Sequence, residues 1–298
     1  MNQTQIFNDA LHSFSLHYNQ LRDKPEETSE NTIKALWFSA ADQAGAIENV
    51  ISKRLPELSA SQITCFNTLV QQRISGVPLA HLTGKQLFMG IEFTVSSKAL
   101  VPRKETEIVG NAALQCIRGK ISKNAQTTVI DVCTGCGNLA LAYAFHEPMC
   151  KVYASDLSPD AIELAVMNAK QLHLEKRITF KVGDLLGPFD EPAFLKSVDV
   201  ISCNPPYIST TKLSSLSTEI IGYEPELAFN GGPFGITIMN KMIQQAPKFL
   251  AEGGWLYMEV GEGQGNGVLQ LLKKGGFFKH IEPLFDNKNI IRAIGAGI

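Results

Sequence analysis

The sequence predicts an α/β protein: a parallel sheet over the larger, C-terminal part of the chain, preceded by a smaller helical domain. Two observations carry this. Between residues 127 and 298, short β-rich runs alternate with helical stretches such as AIELAVMNAKQL, the pattern of βαβ units. Before about residue 85, apolar positions recur at spacings of two to four, as along helices.

In the first segment the recurring positions are Leu11, Phe14, Leu36, Phe38, Ile47, Ile51, Phe66, Leu69 and Val70, punctuated by Pro25, Pro56 and Pro78. Residues 86–101, QLFMGIEFTVSSKALV, alternate weakly around a glycine and predict a β-hairpin linking residues 1–85 to a larger domain over 102–298. The predicted strands of that domain are TTVIDV, KVYASD, ITFKVGD, VDVISC and GGWLYMEV, followed by HIEPLFD and NIIRAIG, which sit close enough to form an antiparallel hairpin.

Composition narrows the function. With 298 residues at 44% hydrophobic content, the chain is long enough for two domains with real cores. Its net charge of −2, from 27 basic and 29 acidic residues, supplies no broad positive field for nucleic acid or an anionic membrane. Residues 1–85 hold seven Lys+Arg against eight Asp+Glu and form no basic clamp. Charge, Gly or Pro interrupts every apolar stretch before the ~18 residues of a membrane helix, and the first residues lack a basic-then-apolar leader. The six scattered cysteines form no disulfide framework. The expected location is the cytoplasm.

TTVIDV runs through CTGCGN into the helical LALAYAF, so a glycine-bearing turn joins strand to helix, where α/β sheets bind nucleotide-like ligands. Gly135 and Gly137 let backbone approach a ligand, and Asp131 ends the strand as an acceptor. The next strand finishes at Asp156, 19 residues after Gly137, where a carboxylate can accept both hydroxyls of a ribose. Ser158-Pro159 then reads as a helix N-cap and first helical residue. Asp184, at the following strand end, is placed to accept from an adenine amino group. GCGNLA also fits the dinucleotide pattern of dehydrogenases, and Cys133-x-x-Cys136 fits a redox or zinc half-site, but without a second pair or a flanking His. No metal site is expected.

VDVISC ends in Asn204-Pro205-Pro206-Tyr207. The prolines carry no N–H and stop the strand, leaving carbonyls free to accept. A planar amide or exocyclic amine is a poor nucleophile because its lone pair is conjugated. The Asn204 side-chain oxygen and the Pro205 carbonyl can each accept one of its hydrogens, and Tyr207 offers a flat face. Catalysis would then come mostly from positioning.

Together with Pro78–Gly84, Phe88-Met89-Gly90, Val101–Glu107 (VPRKETE) and Tyr223-Glu224-Pro225 before Gly231-Gly232, these residues resemble the release-factor glutamine methyltransferases of the HemK type over about 78–295. The Asn-Pro-Pro-Tyr motif alone is shared with amino-directed DNA and RNA methyltransferases. The resemblance implies a seven-stranded Rossmann-like S-adenosylmethionine-dependent methyltransferase sheet with a final antiparallel hairpin, and helices at 1–85 that dock the substrate. It implies that Asp131, Cys133, Thr134, Gly135, Cys136, Gly137, Asp156, Leu157, Asp184, Leu185 and Asn204 hold S-adenosyl-L-methionine. Asn204, Pro205, Pro206 and Tyr207 would hold and activate the substrate glutamine, with Arg103 and Glu107 bracing the rim.

Three departures from the family's pattern involve four residues. Cys133 replaces the first loop glycine, in a backbone geometry expected to suit a non-glycine residue. Lys104-Glu105 and Phe234 stand where Pro-Asp and Asp are common.

The expected reaction is methyl transfer to a glutamine side-chain amide, foremost in the Gly-Gly-Gln loop of a peptide-chain release factor, by a monomer without nucleic acid or membrane. A glutamine of a ribosomal or other protein, amino methylation of adenine in nucleic acid, and a non-catalytic cofactor-binding module on the translation machinery stay open.

Overall fold

The structure is a computed structural model that describes residues 2–18, 24–121, 126–215 and 222–298. It divides into two compact units, one of residues 1–97 with 217–224, the other of 98–216 with 225–298. The hairpin therefore groups with the helices, and the division falls between Ser97 and Lys98.

The first unit is built from α1 (Gln3–Ser15), α2 (Ser29–Ala40), α3 (Ile47–Val50), α4 (Ala60–Ile74) and α5 (Leu79–Thr83), then β1 (Lys85–Phe88) and β2 (Ile91–Thr94), paired antiparallel. Its helix starts follow local chemistry. Asn2 and Thr28 cap α1 and α2, and Ser59 with Gln62 forms a capping box on α4. The core gathers Phe14, Leu36, Phe38, Ile47, Phe66 and Val70 around Trp37, whose ring meets Phe66 edge-on at 4.9 Å. Leu11, Ile51 and Leu69 pack at its margin.

The second unit opens with α6 (Thr106–Ile121). A seven-stranded sheet follows, of β3 (Thr128–Val132), β4 (Lys151–Asp156), β5 (Ile178–Val182), β6 (Val198–Cys203), β7 (Leu250–Glu259), β8 (His280–Phe285) and β9 (Ile291–Gly297). The strand order is β5-β4-β3-β6-β7-β9-β8, parallel except where β9 runs antiparallel to β7 and β8. The intervening helices are α7 (Asn138–His146), α8 (Pro159–Gln171), α9 (Thr237–Phe249) and α10 (Gly265–Gly275).

Strand alternation splits the apolar load between two faces. Ile130, Val132, Ile201, Cys203, Leu256 and Met258 share one core with Met239, Met242 and Ile243 of α9 and Val268 and Leu272 of α10. The alternate residues of β3 and β6 face the other way, where Asp131 and Ser202 meet. Burial on both faces explains why these strands read as nearly continuous apolar runs.

The chain steps outward from β3 to β5 and then crosses back to β6, so the order reverses between β3 and β6. Ligands bind outside the carboxyl ends of strands at such a reversal. Among the described residues, no helix is long and apolar enough to cross a membrane.

Candidate active site

A cavity opens at the carboxyl ends of β3, β4 and β6. Its wall includes Asp131, Cys133, Thr134, Gly135, Asp156, Leu157, Asp184, Leu185, Asn204 and Pro206, together with Arg103 and Thr106. Residues from five separate stretches thus meet at one strand reversal.

The first loop is clasped from two sides. Thr134 Oγ1 donates to Asp131 Oδ2 at 2.6 Å, and Ser202 Oγ donates to Asp131 Oδ1 at 2.6 Å, joining β3 to β6 across register-paired residues. The Gly135 N–H donates to Asp156 Oδ2 at 2.8 Å, and the Ser158 N–H donates to Asp156 Oδ1 at 2.9 Å. Ser158 also caps α8 through its side chain, as the sequence predicts. A carboxylate offers about four lone-pair sites. With backbone N–H groups of Gly135, Ser158 and Leu157 on it, Asp156 still keeps lone-pair capacity that a ribose hydroxyl can use.

The apolar wall and this acidic end fit an adenosyl group. Leu157, about half exposed, and Leu185, buried, lie on the same cavity. Asp184 is on the wall too, 3.5 Å from the Lys241 ammonium.

Cys133 takes φ +57, a left-handed conformation. The backbone therefore keeps the glycine geometry and does not relax to suit the thiol, against the sequence expectation. Such a conformation costs a non-glycine residue roughly 1–2 kcal/mol. Replacing Cys133 with Gly removes that strain but adds roughly 0.5–1 kcal/mol of unfolded-chain entropy. The net expectation is a Tm about 1–3 °C higher in a thermal melt. A lower Tm would show that the Cys133 thiol, which hydrogen-bonds Cys203, contributes more than the strain removes.

Several expected residues are not on the cavity wall. Cys136 is buried among Ala99, Ala161 and Leu164, and burial pushes its thiol up to about 12, which leaves no thiolate for redox or metal chemistry. Gly137 faces helices: a Cβ there would lie 3.0 Å from Leu141 and 3.1 Å from Ala165, so its role is close packing of α7 on α8. Pro205 is buried, and Glu107 lies in the first turn of α6. The Tyr207 ring packs beside Gly261, and its hydroxyl hydrogen-bonds Glu259 instead of facing the cavity.

Two residues without an assigned role complete the site. Thr106 Oγ1 donates to Glu259 Oε2 at 2.7 Å and accepts from Asn204 Nδ2 at 3.1 Å. Glu259 is 1% exposed at the end of β7, and the β6–β7 register sets it beside Asn204. The backbone after Tyr207 is strapped by residues 229–235. The Ile208 N–H donates to the Phe229 carbonyl, and the Gly231 N–H donates to the Ile208 carbonyl. A Cβ at Gly235 would lie 2.2 Å from the Tyr207 carbonyl oxygen.

Burial holds both Asp131 and Glu259 up to about 7. Raised carboxyls stabilise the fold fully below their unfolded values, 3.8 and 4.5, and that stability is lost as pH rises through about 7. Tm should therefore be higher at pH 6 than at pH 8, and Asp131→Asn should flatten the difference. Equal wild-type Tm at the two pH values would contradict the burial argument.

A sheet of this order, with an acidic β4 end and Asn-Pro-Pro-Tyr after β6, defines a Rossmann-like methyltransferase. The model of the methyltransferase domain matches residues 123–282. The hMettl16 catalytic domain, solved in complex with the MAT2A 3'UTR hairpin 6, superposes with a TM-score of 0.52 at 14% identity, over 76% of this chain and 81% of that one, a likeness of fold. Release factor glutamine methyltransferase from Thermodesulfovibrio yellowstonii is 35% identical over 74% of this chain and 77% of its own length. The protein of the same name from Moorella thermoacetica is 36% identical over 77% of this chain and 78% of its own. The chain belongs to the release factor glutamine methyltransferase family.

Proposed function

We propose that this enzyme transfers a methyl group from S-adenosylmethionine to the side-chain amide nitrogen of a glutamine in a peptide-chain release factor. One observation carries the reading: Asn204, whose Oδ1 has no hydrogen-bond partner among the described residues, shares one cavity with the doubly clasped Asp156. An amide acceptor and a ribose acceptor are then within reach of one bound pair of reactants. Family membership supplies the substrate class, through relatives named as release factor glutamine methyltransferases.

When bound, S-adenosylmethionine supplies an electrophilic methyl group on a sulfonium. Asp156 would hold the ribose hydroxyls, Leu157 and Leu185 would flank the apolar adenosyl surface, and Asp184 would accept from the adenine amino group. Asn204 Oδ1 would accept one N–H of the glutamine amide and the Pro205 carbonyl the other. Together they fix the amide plane and stabilise positive charge as it develops on nitrogen. Both N–H groups become strongly acidic as that charge develops, and one of their protons passes to water because neither carbonyl oxygen can keep it, so no dedicated base is required. Pro206 and Arg103 would form the wall beside it.

The helical unit over 1–85, with nearly balanced charge, suits the surface of a folded protein better than a phosphate backbone. The same balance disfavours adenine in nucleic acid as the target, and a release factor as substrate places the reaction in the cytoplasm. We read the enzyme as acting as a monomer.

The test is incubation of the full chain with S-adenosylmethionine and, in parallel, release factors, a ribosomal protein and adenine-containing DNA and RNA, with the added methyl located by fragmentation. The expected product is one methyl on the glutamine of the Gly-Gly-Gln loop. Methyl on adenine and none on protein would overturn the substrate class.

A further inference from the structure

The geometry points to Glu259 as a positioning residue that acts through Thr106 to set which face of the Asn204 amide is turned to substrate. This rests on the glutamine-methylation reading for its consequence, but not for its geometry. Nothing in the local run MEVGEG marks Glu259 as anything but a strand end.

The inference follows from counting protons. Above about pH 7 Glu259 is ionised, and an ionised carboxylate only accepts. Glu259 accepts from Thr106 Oγ1 at 2.7 Å and from the Tyr207 hydroxyl, so both hydroxyl protons are committed to it. Thr106 has one hydroxyl proton and, having given it to Glu259, presents only lone pairs to its other neighbour. That neighbour is Asn204, 3.1 Å away, which must therefore offer its Nδ2 and not its Oδ1. The amide cannot turn over without setting two lone-pair-bearing oxygens against each other. Oδ1 is thereby held as the group left for substrate, and Asn204 is on the cavity wall.

The surroundings favour this arrangement. The Arg292 guanidinium lies close enough to Glu259 to favour its ionised form, offsetting part of the cost of burial. Tyr207, on the same carboxylate, ties the far end of the Asn-Pro-Pro-Tyr turn to the same point. Two ends of one tetrapeptide are thus referenced to a single buried anion from a different strand. Asn204 belongs to the turn after β6, Thr106 to the first turn of α6 and Glu259 to β7, so no local motif reveals the relay.

Glu259→Gln gives the buried position a donor where only acceptors fit, so one hydroxyl must reverse. Thr106→Val keeps the shape and removes the relay, whereas Thr106→Ser keeps the hydroxyl. At pH 8, where Glu259 is ionised, we expect Thr106→Val and Glu259→Gln each to lower kcat by about 10- to 100-fold, the range for one misplaced buried hydrogen bond. KM for the release factor and the dissociation constant of S-adenosylhomocysteine should change less than about threefold, and Thr106→Ser should recover most of the rate. On an Asn204→Ala background the same changes should cost less than about twofold more, because the residue they orient is gone.

A second readout needs no turnover. In protein labelled with 15N-asparagine, the Asn204 side-chain amide signal, identified by its loss in Asn204→Ala, should move in Thr106→Val and stay in place in Thr106→Ser. Full kcat in Thr106→Val, additive losses on the Asn204→Ala background, or an unmoved amide signal would each overturn the relay. A wild-type enzyme that leaves release factors unmethylated while its amide signal still responds would overturn the substrate reading and keep the relay. If Glu259→Gln does not fold, Thr106→Val and its amide signal decide alone.

Discussion

Asn204→Ala should lower kcat on a release factor by about 30- to 1000-fold, corresponding to ~2–4 kcal/mol of lost transition-state stabilisation. The size follows from what the side chain would do. Its Oδ1 would accept from the amide whose nitrogen becomes positive, an interaction stronger in the transition state than in the ground state. Because the proposed role puts the residue on substrate more than on cofactor, S-adenosylhomocysteine affinity should fall by less than about fivefold, by the same division of ground-state and transition-state effects. Single-turnover kinetics with calorimetry on the same preparation separates the two. A turnover rate within threefold of wild type would remove Asn204 from the amide clamp.

Asp156→Ala should do the reverse, abolishing most cofactor binding. Two losses combine. The acceptor for the ribose diol disappears, and the Gly135 and Ser158 N–H groups, now bonded to its two oxygens, lose their partners. A charge-assisted hydrogen bond contributes ~1.5–3 kcal/mol, so a drop in S-adenosylhomocysteine affinity of at least ~100-fold is expected. Asp156→Asn should fall between, since its amide can accept from only one of the two N–H groups and would oppose the other with a donor. The carboxyl is raised by burial, while the N–H groups of Ser158, Gly135 and Leu157 pull it back toward ionisation. Calorimetric titration reads the effect directly. Unchanged affinity in Asp156→Ala would mean that the ribose is held elsewhere.

The legible part of this site lies at strand ends, and the reason is local. A strand, a glycine turn and a helix in immediate succession announce Asp131 and the loop to Gly137, and Ser158-Pro159 marks the helix start that fixes Asp156 just before it. Proline stops β6 at Cys203, so Asn204 is readable as its terminus. What stayed hidden depends on strand register and on which way a side chain turns. Glu259 becomes the neighbour of Asn204 only because Cys203 pairs with Met258, a relation between residues 55 positions apart. Thr106 sits inside the VPRKETE segment, yet nothing in its spacing says that its hydroxyl is shared by Asn204 and Glu259. Cys136 and Gly137 show the opposite error. Their place in the loop suggests a ligand wall, but the helix starting at Asn138 turns them into the interior. The left-handed Cys133 is likewise invisible, because residue identity argued for a relaxed backbone and the loop imposed a strained one.

The strap over residues 229–235 has a bearing on how such an enzyme can change its clientele. Gly235 admits no side chain without pushing on the Tyr207 carbonyl, so backbone packing closes that position to larger residues. One residue earlier, Phe234 is 81% exposed, and it is bulky, apolar and free of that restriction. Room for substitution therefore lies at the exposed Phe234, beside a glycine that packing fixes. Exchanging Phe234 would remake the outer surface of the strap and leave the seating of Gly235 on the Tyr207 carbonyl as it is.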